Sequence, residues 1–323
     1  MGRGRTIDTS LMDTTICICT RNRAGSLKRA LESLSRQNDC EEIEWDVLVV
    51  DNGSIDRTAD TARAFSDLLN IRVAHEPIAG VALARNTALR LARGAFIVFI
   101  DDDVTVPSQW LAAYVRGFAS YPEAAFFGGP IIARVKAVSP RRLAAIREAI
   151  PGALSWLEPD LAECQLTKDS STLPWGANMA FRRSAIEGHM FDVRLGRKPG
   201  RSIDSGEESV FFKNLLDSGS EGAWLPKVWV EHHVSHRRCS RSYLRRHCHG
   251  IGWYLGYQAA LEQAEEPASA LKRLKSTISE RRLRYWRSVG SGSPLVQRLS
   301  ALRDLTIMEG FRDGFTETPA AKS

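Results

Sequence analysis

Residues 95–106 read AFIVFIDDDVTV, an apolar run that ends abruptly at the consecutive aspartates Asp101, Asp102 and Asp103. A run of this kind, bounded by Gly94 and a charge cluster, is typical of a strand buried on both faces of a parallel sheet. Side chains alternate along a strand, so Asp101 and Asp103 point to one side and Asp102 to the other. The pattern predicts two carboxylates at the carboxyl end of a parallel strand, where open α/β sheets bind ligands.

Taken alone, the three aspartates have two interpretations. A divalent cation shared with a phosphate ligand would relieve the repulsion between the carboxylates. A solvated turn that caps the next helix, which we expect to begin near Pro107, explains them equally well. The rest of the chain has to decide between these two interpretations.

The composition is that of an ordinary globular protein, with 25% charged and 43% hydrophobic residues among 323. This length suits one large α/β domain or two smaller ones. No stretch approaches the roughly 20 apolar residues that cross a bilayer, and the N-terminus lacks the apolar core of a signal peptide. The six cysteines show no CxxC spacing, so we expect neither a zinc site nor a disulfide framework. A cytoplasmic protein, at most attached to the inner face of the cell membrane, is therefore expected.

Four strands alternate with three helices up to the aspartates. The predicted strands are 14–19, 45–50, 71–74 and 95–100, and the predicted helices are 26–34, 56–69 and 80–93. This alternation predicts a parallel, right-handed α/β unit. Each strand then ends in a polar loop at the same edge of the sheet, and these loops read TRNR, DNGS, HEP and DDD.

The second half of the chain is less regular. We predict loops at 158–172 and 196–206, one or two strands within 124–133, a loop leading into a strand at 174–181, a last strand at 227–230, and helices at 107–120, 141–148, 207–216, 243–263 and 268–287. Residues 237–313 hold 15 Lys/Arg and 7 Asp/Glu, a balance of +8, whereas the whole chain carries +6. The basic character therefore belongs to the C-terminal helices.

Three further clusters bear on the aspartates. Arg85, in GVALARN, could pair with a diphosphate or could be a solvated helix arginine. Glu207 and Glu208, in GEE, could be chemical groups or could simply favour the start of a helix. In VWVEHHV, either His232 or His233 could be a ligand, although a lone histidine is more often structural.

In this order and spacing the clusters make the chain resemble the inverting glycosyltransferases of family 2, over about residues 14–257. The resemblance rests on ICTRNR, VVDNGSIDRT, GVALARNTAL, FIDDDV, WGANMAFRR, GEESVFFKNL and VWVEHHV. It implies one Rossmann-like α/β domain of the glycosyltransferase-A type, with a mainly parallel, mixed central sheet, plus a C-terminal helical extension. FIDDDV looks like the DXD metal motif of that family.

The same resemblance implies four segments. Residues 1–12 would be a disordered N-terminus, and 13–235 the catalytic domain, with a nucleotide-binding half (13–103) and an acceptor-binding half (104–235). Residues 236–315 would form the basic helical extension, and 316–323 a disordered tail.

A nucleotide-sugar pocket across the strand ends is also implied. Asp103 would hold Mn²⁺ or Mg²⁺, Asp101 would face the ribose or the metal shell, and His232 would complete the metal or diphosphate shell, with His233 as the less favoured choice. Asp51 would accept a hydrogen bond from the base, Arg85 would stand near the diphosphate, and Asp102 would brace the loop. The remaining donor-site residues would be Thr20, Arg21, Asn22, Asn52 and the loop of Trp175, Gly176, Ala177 and Asn178.

The expected reaction moves a hexose from a nucleoside-diphosphate sugar to a hydroxyl of a glycan or lipid-linked glycan, in polysaccharide or glycolipid assembly. The cation would stabilise the leaving diphosphate. Glu208 would be the general base, because it stands where the family usually has the aspartate of Gly-Glu-Asp; Glu207 is the alternative. Attack opposite the leaving group would invert the anomeric carbon.

Other functions fit the motifs less well. A non-catalytic relative that binds sugar nucleotides or polysaccharide would keep DXD and tolerate loss of the base. A sugar nucleotidyltransferase would show a glycine-rich loop with a lysine after the first strand, and TRNRAGS lacks the lysine and the glycine repeat. A dehydrogenase would need GxGxxG there.

Arginines interleave with aromatic residues in the basic helices, and these aromatics are Trp253, Tyr254, Tyr257, Tyr285 and Trp286. Such helices often lie on anionic membrane surfaces, so we expect a peripheral membrane contact. A basic face packed on the catalytic domain and a homodimer contact are the alternatives. We expect no nucleic-acid partner, because no recognition motif accompanies the charge.

Overall fold

A computed structural model of the chain describes residues 13–157, 160–197, 206–261 and 267–317, with side chains of the last range described from Lys275 onward. The predicted disorder of 1–12 and 318–323 lies outside these residues, whereas Thr316 and Glu317 belong to a helix. Parts of the two predicted loops, 158–159 and 198–205, lie outside them as well.

The first half of the chain forms the predicted parallel unit. Its strands are β1 (Thr14–Thr20), β2 (Trp45–Asp51), β3 (Ile71–His75) and β4 (Phe96–Asp101), and its helices are α1 (Ala24–Leu34), α2 (Thr58–Arg63) and α3 (Val81–Leu91). These strands lie side by side in the order β3-β2-β1-β4, and all three pairings are parallel. The register sets Thr20 beside Asp51 and Cys19 beside Asp101, so the polar loops gather at one sheet edge.

The second half extends this sheet and adds a smaller one. Its elements are β5 (Val104–Thr105), α4 (Trp110–Ser120), β6 (Phe126–Gly128), β7 (Ile131–Val135), α5 (Pro140–Ala149), β8 (Cys164–Leu166), β9 (Asn178–Arg182), α6 (Glu207–Asp217), β10 (Gly222–Trp224) and β11 (Val230–Val234). The main sheet continues as β4-β9-β6-β10-β8, with β9 antiparallel to both of its neighbours, and β5-β11-β7 form the second sheet. The predicted mixed, mainly parallel α/β sheet is therefore confirmed.

Aromatic packing fixes the position of α6. The Phe211 ring stacks on Phe191 with 4.3 Å between centroids, and Phe212 meets Phe126 edge-on at 5.1 Å. Both α6 phenylalanines are buried, and truncating such a ring to alanine typically costs about 3–5 kcal/mol. The first turn of α6, which carries Glu207 and Glu208, is thus held by the core behind it.

Several element boundaries differ from the prediction. The α-helix predicted at 56–69 ends at Arg63, and the chain continues in tighter turns, such as Phe65 N–H to the carbonyl of Ala62. Phe65 and Leu69 are nevertheless buried. The apolar pattern therefore continues beyond the last residue of the helix. Strand β8 lies inside a predicted loop and β10 was not predicted, because three-residue strands are too short to show a period.

The last predicted strand was placed too early in the chain. Instead of 227–230, β11 begins at Val230 and runs through Glu231, His232 and His233 to Val234. The two histidines therefore lie within a strand and not in the loop after it.

The described residues divide into two compact units. The first comprises residues 13–134, 157, 160–193 and 207–233, and the second comprises residues 135–156, 194–197, 206, 234–261 and 267–317. The second contains α5 and the C-terminal helices α7 (Arg241–Leu261), α8 (Pro267–Gly290) and α9 (Leu295–Glu317). Helix α9 was not predicted as a separate element. Among the described residues, no helix is long and apolar enough to cross a bilayer.

Candidate functional site

Two aspartates and a histidine meet where β4 ends. Strand β5 follows the aspartates and pairs with β11, which puts His232 opposite Val104. One ligand atom from each of Asp101, Asp103 and His232 lies within 4.8 Å of the others. The His232 Nε2 is 2.8 Å from Oδ1 of Asp103, and the ring is 1% exposed. The three side chains thus form a compact polar cluster in the first unit.

The neighbouring histidine is used differently. Nε2 of His233 lies 2.9 Å from the Thr105 hydroxyl, and the His233 backbone N–H donates to the carbonyl of Asp103 at 2.8 Å. Burial lowers the pKa of His233. Its backbone braces the aspartate turn, whereas its ring takes no part in the cluster of Asp101, Asp103 and His232.

Arg23, which the sequence analysis missed, pairs with the aspartates. Its Nη1 is 2.8 Å from Oδ2 of Asp103 and 3.7 Å from Oδ1 of Asp102. The Thr20 hydroxyl donates to Oδ2 of Asp102 at 2.7 Å, and burial raises the pKa of Asp102 to about 7 against the opposing effect of Arg23. Arg23 is the second arginine of TRNR, the loop that follows β1. Because the strand-end loops of a parallel unit lie at one edge, this position could have indicated the contact with the aspartates.

These residues fit a hard divalent cation. Two carboxylates and one imidazole are ligands that Mn²⁺ accepts, and Mg²⁺ prefers the oxygens. The Nδ1 of His232 is buried and has no hydrogen-bond partner among the described residues. Arg23 balances part of the carboxylate charge, so a bound cation and Arg23 would share Asp103.

A second cluster joins α3 to α6. Nη1 of Arg85 donates to Oε1 of Glu207 at 2.8 Å, and Nη2 donates to Oε1 of Glu208 at 2.6 Å. Burial alone lowers the pKa of Arg85, but Glu208, Glu207 and Asp101 outweigh it and raise the pKa overall. The effect of Asp101 puts this cluster within electrostatic reach of the aspartates. The side chain of Glu208 is 26% exposed and that of Glu207 is 7% exposed, so Glu208 is the more open carboxylate.

Gly176 lies directly against the second cluster. A Cβ at this position would come within 1.9 Å of Nη2 of Arg85 and 2.1 Å of Oε1 of Glu208. A side chain at this position would have to displace the ends of Arg85 and Glu208, which are held together by their hydrogen bond. The neighbouring Trp175 is half-buried against the core, and its carbonyl accepts the Asn178 N–H at 2.8 Å.

Two predicted donor-site amides are engaged with the protein itself. Asn52 donates to the carbonyls of Glu76 and Ile78 at 3.0 and 2.7 Å and accepts the Gly80 N–H at 2.8 Å. Its amide therefore shapes the loop that leads into α3.

Asn178 is fully buried and engaged in the same way. It accepts the Tyr114 hydroxyl at 2.9 Å and donates to the carbonyls of Pro130 and Val228 at 3.3 and 2.6 Å. Asn178, like Asn52, supports the site from behind.

The first two strand-end loops are bound to each other. Asn22 has a left-handed φ of 53°, donates its N–H to the Ser54 hydroxyl at 2.9 Å, and accepts the Ile55 N–H at 2.8 Å. Asp51 accepts the Ser54 N–H at 3.1 Å. Nη1 of Arg21 is buried and lacks a hydrogen-bond partner within the described residues, so this arginine can still donate to a ligand.

The sequence of this chain is similar to those of known proteins. Residues 15–189, more than half of the chain, match the family described as Glycosyl transferase family 2. The succinoglycan biosynthesis protein ExoM of Rhizobium meliloti (strain 1021) is 27% identical over 241 residues, which cover 72% of this chain and 70% of that protein. The pre-mycofactocin glycosyltransferase of Mycobacterium tuberculosis (strain CDC 1551 / Oshkosh) is 28% identical over 72% of this chain, which spans only 45% of that protein.

Solved structures show the same fold at low identity. S. aureus TarS 1-349 superposes with a TM-score of 0.55 at 16% identity, covering 94% of this chain and 92% of that one. The mannosyltransferase PcManGT from Pyrobaculum calidifontis, solved in complex with GDP-Man and Mn²⁺, gives 0.56 at 18% identity, covering 90% and 85%. The α/β unit with its mixed sheet is therefore the fold of glycosyltransferase-A enzymes.

Proposed function

Because the chain belongs to glycosyl transferase family 2, we propose that it transfers a hexose from a nucleoside-diphosphate sugar to an acceptor hydroxyl, with inversion and with help from a divalent cation. The observation that carries this proposal is one sheet edge with two clusters, Asp101–Asp103–His232 and Arg85–Glu207–Glu208. The first suits the diphosphate end of a donor, and the second suits the reacting hydroxyl.

The donor end needs positive charge beside a nucleoside diphosphate. Asp101, Asp103 and His232 would hold the cation, which supplies electrostatic stabilisation of the leaving diphosphate when bound. Arg21 and Arg23, on the loop after β1, would add guanidinium donors that suit phosphate oxygens. Similar structures, TarS in complex with UDP-GlcNAc and PcManGT in complex with GDP-Man and Mn²⁺, support this donor class.

The acceptor end needs a carboxylate that can take a proton. We assign the general base to Glu208, because its side chain is more open than that of Glu207 and Arg85 fixes its direction. A positioned base contributes typically about a hundred- to ten-thousand-fold to the rate. Attack by the hydroxyl opposite the leaving diphosphate gives inversion without a covalent intermediate, so Glu207 is left to hold Arg85.

The acceptor and its setting are inferred from relatives. ExoM is described by its role in succinoglycan biosynthesis, so we propose a glycan or lipid-linked glycan acceptor in polysaccharide or glycolipid assembly. We also propose that the catalytic domain lies within 13–235, because both clusters lie in the first unit; the described residues 135–156 and 194–197 of that range belong to the second unit.

A donor screen tests the proposal directly. Thermal unfolding would be followed with UDP-, GDP- and dTDP-sugars, each with Mn²⁺ and with EDTA, and release of nucleoside diphosphate would be measured for each donor that stabilises the protein. One donor class should stabilise the chain only with the cation, and its diphosphate should be released when an acceptor is present.

The matched variant for this screen is Asp103→Ala, which should lose the cation-dependent stabilisation. Asp60→Ala removes an exposed carboxylate on α2 and should keep it. Donor binding without any turnover in the unmodified chain would indicate the non-catalytic relative, and stabilisation that is the same with and without Mn²⁺ would contradict the cation's role.

A further inference from the structure

The second unit contains a pocket that the proposed reaction does not use. It has a volume of about 700 Å³ and lies between the start of α5 and the segment that leads into α7. Small-molecule sites typically measure about 300–1,000 Å³. The pocket therefore has room for a small ligand, and its lining decides which kind.

The lining is strongly basic. Arg142, Arg237, Arg246 and His236 line the pocket, and no carboxylate is among the lining residues that the structure describes. None of the three arginines forms an ion pair with any residue that the structure describes. Concave surfaces lined by one sign of charge concentrate ions of the opposite sign, so this lining favours an anion.

Some other arginines of the second unit are paired with carboxylates. Arg245 and Arg282 both reach Glu309, at 3.5 and 3.0 Å, and Arg303 reaches Asp304 at 2.9 Å. These carboxylates lie outside the pocket, so they do not balance the arginines that line it.

Part of the lining is rigid and part is open. Nε and Nη2 of Arg142 donate to the carbonyl of Cys239 at 3.3 and 2.6 Å, which fixes this guanidinium against buried backbone. The guanidinium of Arg246 lies over the ring of Tyr243 at 5.5 Å. Arg237 is exposed. One anchored and two adjustable guanidinium groups can close on a ligand from several sides.

The number of charges selects the ligand class. A single carboxylate would balance only one of three guanidinium groups, whereas a phosphate or diphosphate carries two or more charges and several acceptor oxygens. Serine hydroxyls add donors, and Val138 with the Tyr243 ring adds an apolar wall. We propose that this pocket binds a phosphate or diphosphate group, carried either by a free molecule or by a lipid headgroup.

The test measures binding of inorganic diphosphate by calorimetry, with the full chain in EDTA and without donor sugar. The variant Arg237→Gln/Arg246→Gln should bind at least about tenfold more weakly, because two charge-assisted contacts are lost. The matched control Arg36→Gln/Arg116→Gln removes the same charge from exposed positions of the first unit and should bind like the unmodified chain. Thermal unfolding of both variants would confirm that they fold.

A second arm separates the two sources of the phosphate group. Vesicles of phosphatidylcholine with phosphatidic acid replace the free diphosphate in a co-sedimentation assay. A loss confined to the pocket variant in either arm supports the site and names its source. Equal losses in both variants, or no binding to either probe, would overturn the proposal. Asp103→Ala should keep diphosphate binding in EDTA, so failure of the transferase proposal and failure of this one are distinguishable.

Discussion

Arg85 is buried, at 4% exposure, and shares its guanidinium between two carboxylates that lie 122 and 123 residues further along the chain. A buried charge that loses its partner is strongly destabilising, so a change at either glutamate tests both chemistry and structure. Conservative amides are therefore the useful variants, because glutamine keeps the shape and one acceptor oxygen.

Glu208→Gln should lower the transfer rate by about a hundred- to ten-thousand-fold, since the amide cannot take the acceptor's proton. Donor affinity should change little, because the proposed donor contacts lie elsewhere. The measurement is a transfer rate at saturating donor, together with a donor dissociation constant from calorimetry. Glu207→Gln is the matched control and should keep most of the rate. A fully active Glu208→Gln protein would sink the assignment of the base.

His247 gives the second unit a specific sensitivity to acid. Burial, with Arg238 and Arg197 nearby, lowers the pKa of His247 to about 4, and its Nε2 has no hydrogen-bond partner among the described residues. Because the pKa in the unfolded chain is higher, at about 6.5, protons bind the unfolded state more readily. The stabilising contribution is therefore present above pH 6.5 and is lost as the pH falls towards 4.

Between pH 7 and pH 5 this linkage removes about 2 kcal/mol from the free energy of unfolding. Over the same interval the free energy of unfolding of His247→Gln should fall by about 2 kcal/mol less than that of the unmodified chain. Denaturant unfolding at both pH values measures this difference. His236→Gln, at an exposed histidine of the same unit, should behave like the unmodified chain. An unchanged pH dependence in His247→Gln would contradict this assignment.

At the scale of elements, glycines set the contact between α7 and α9. A Cβ at Gly252 would lie 1.9 Å from the carbonyl oxygen of Ile307, and one at Gly314 would lie 2.0 Å from that of Trp253. The two helix backbones therefore touch, and only glycine permits it. Gly310 and Gly314 also weaken the helical pattern of α9 in the sequence, so it was not predicted separately.

Gly314→Ala should destabilise the second unit by about 1–3 kcal/mol, because the backbone that it meets cannot move aside cheaply. Gly290→Ala is the control, since nothing lies within 4 Å of a Cβ there, and the helix preference of alanine makes it neutral or slightly stabilising. Thermal unfolding checks both. If Gly314→Ala were as stable as Gly290→Ala, the close helix contact would be contradicted.

At the scale of the whole molecule, the C-terminal helices differ from the predicted membrane surface. Trp253, Tyr257 and Tyr285 are buried, so most of the predicted aromatic residues pack inside. An exposed apolar stripe exists on α8 instead, where Leu283 and Trp286 are 51% and 59% exposed. Arginines 282, 284 and 287 flank this stripe in the sequence. We therefore propose that a peripheral membrane contact is made through α8.

Leu283→Ser/Trp286→Ser should reduce binding to phosphatidylcholine vesicles that contain phosphatidylglycerol, because the insertable apolar area is lost. Co-sedimentation with and without the anionic lipid measures it. The control Leu68→Ser removes an exposed leucine of the first unit, 66% exposed, and should have no effect. If the stripe variant instead changes the sedimentation of a dimer and leaves vesicle binding intact, the stripe is a contact between copies.

The sequence alone determined the parallel half of the sheet and the edge at which its polar loops meet. When apolar strands are joined by crossover helices, every loop that follows a strand lies at the same edge of the sheet. The local pattern of strands and helices was therefore enough to predict that edge. The strand ends at Asp51 and Asp101 and the nearby Arg85 were found in this way. The short strands β8 and β10 gave no such pattern, and only their pairing in the folded sheet defines them.

Tertiary structure alone decided which side chains meet in the site. Arg23 joins Asp103 across 80 residues, and no local pattern encodes that contact. The choice between His232 and His233 depends on the register of β11 against β5, because a slip of one residue would turn each side chain to the opposite face. That register is set by strands far apart in the chain, so the sequence offered both histidines and the folded sheet brought His232 to the aspartates.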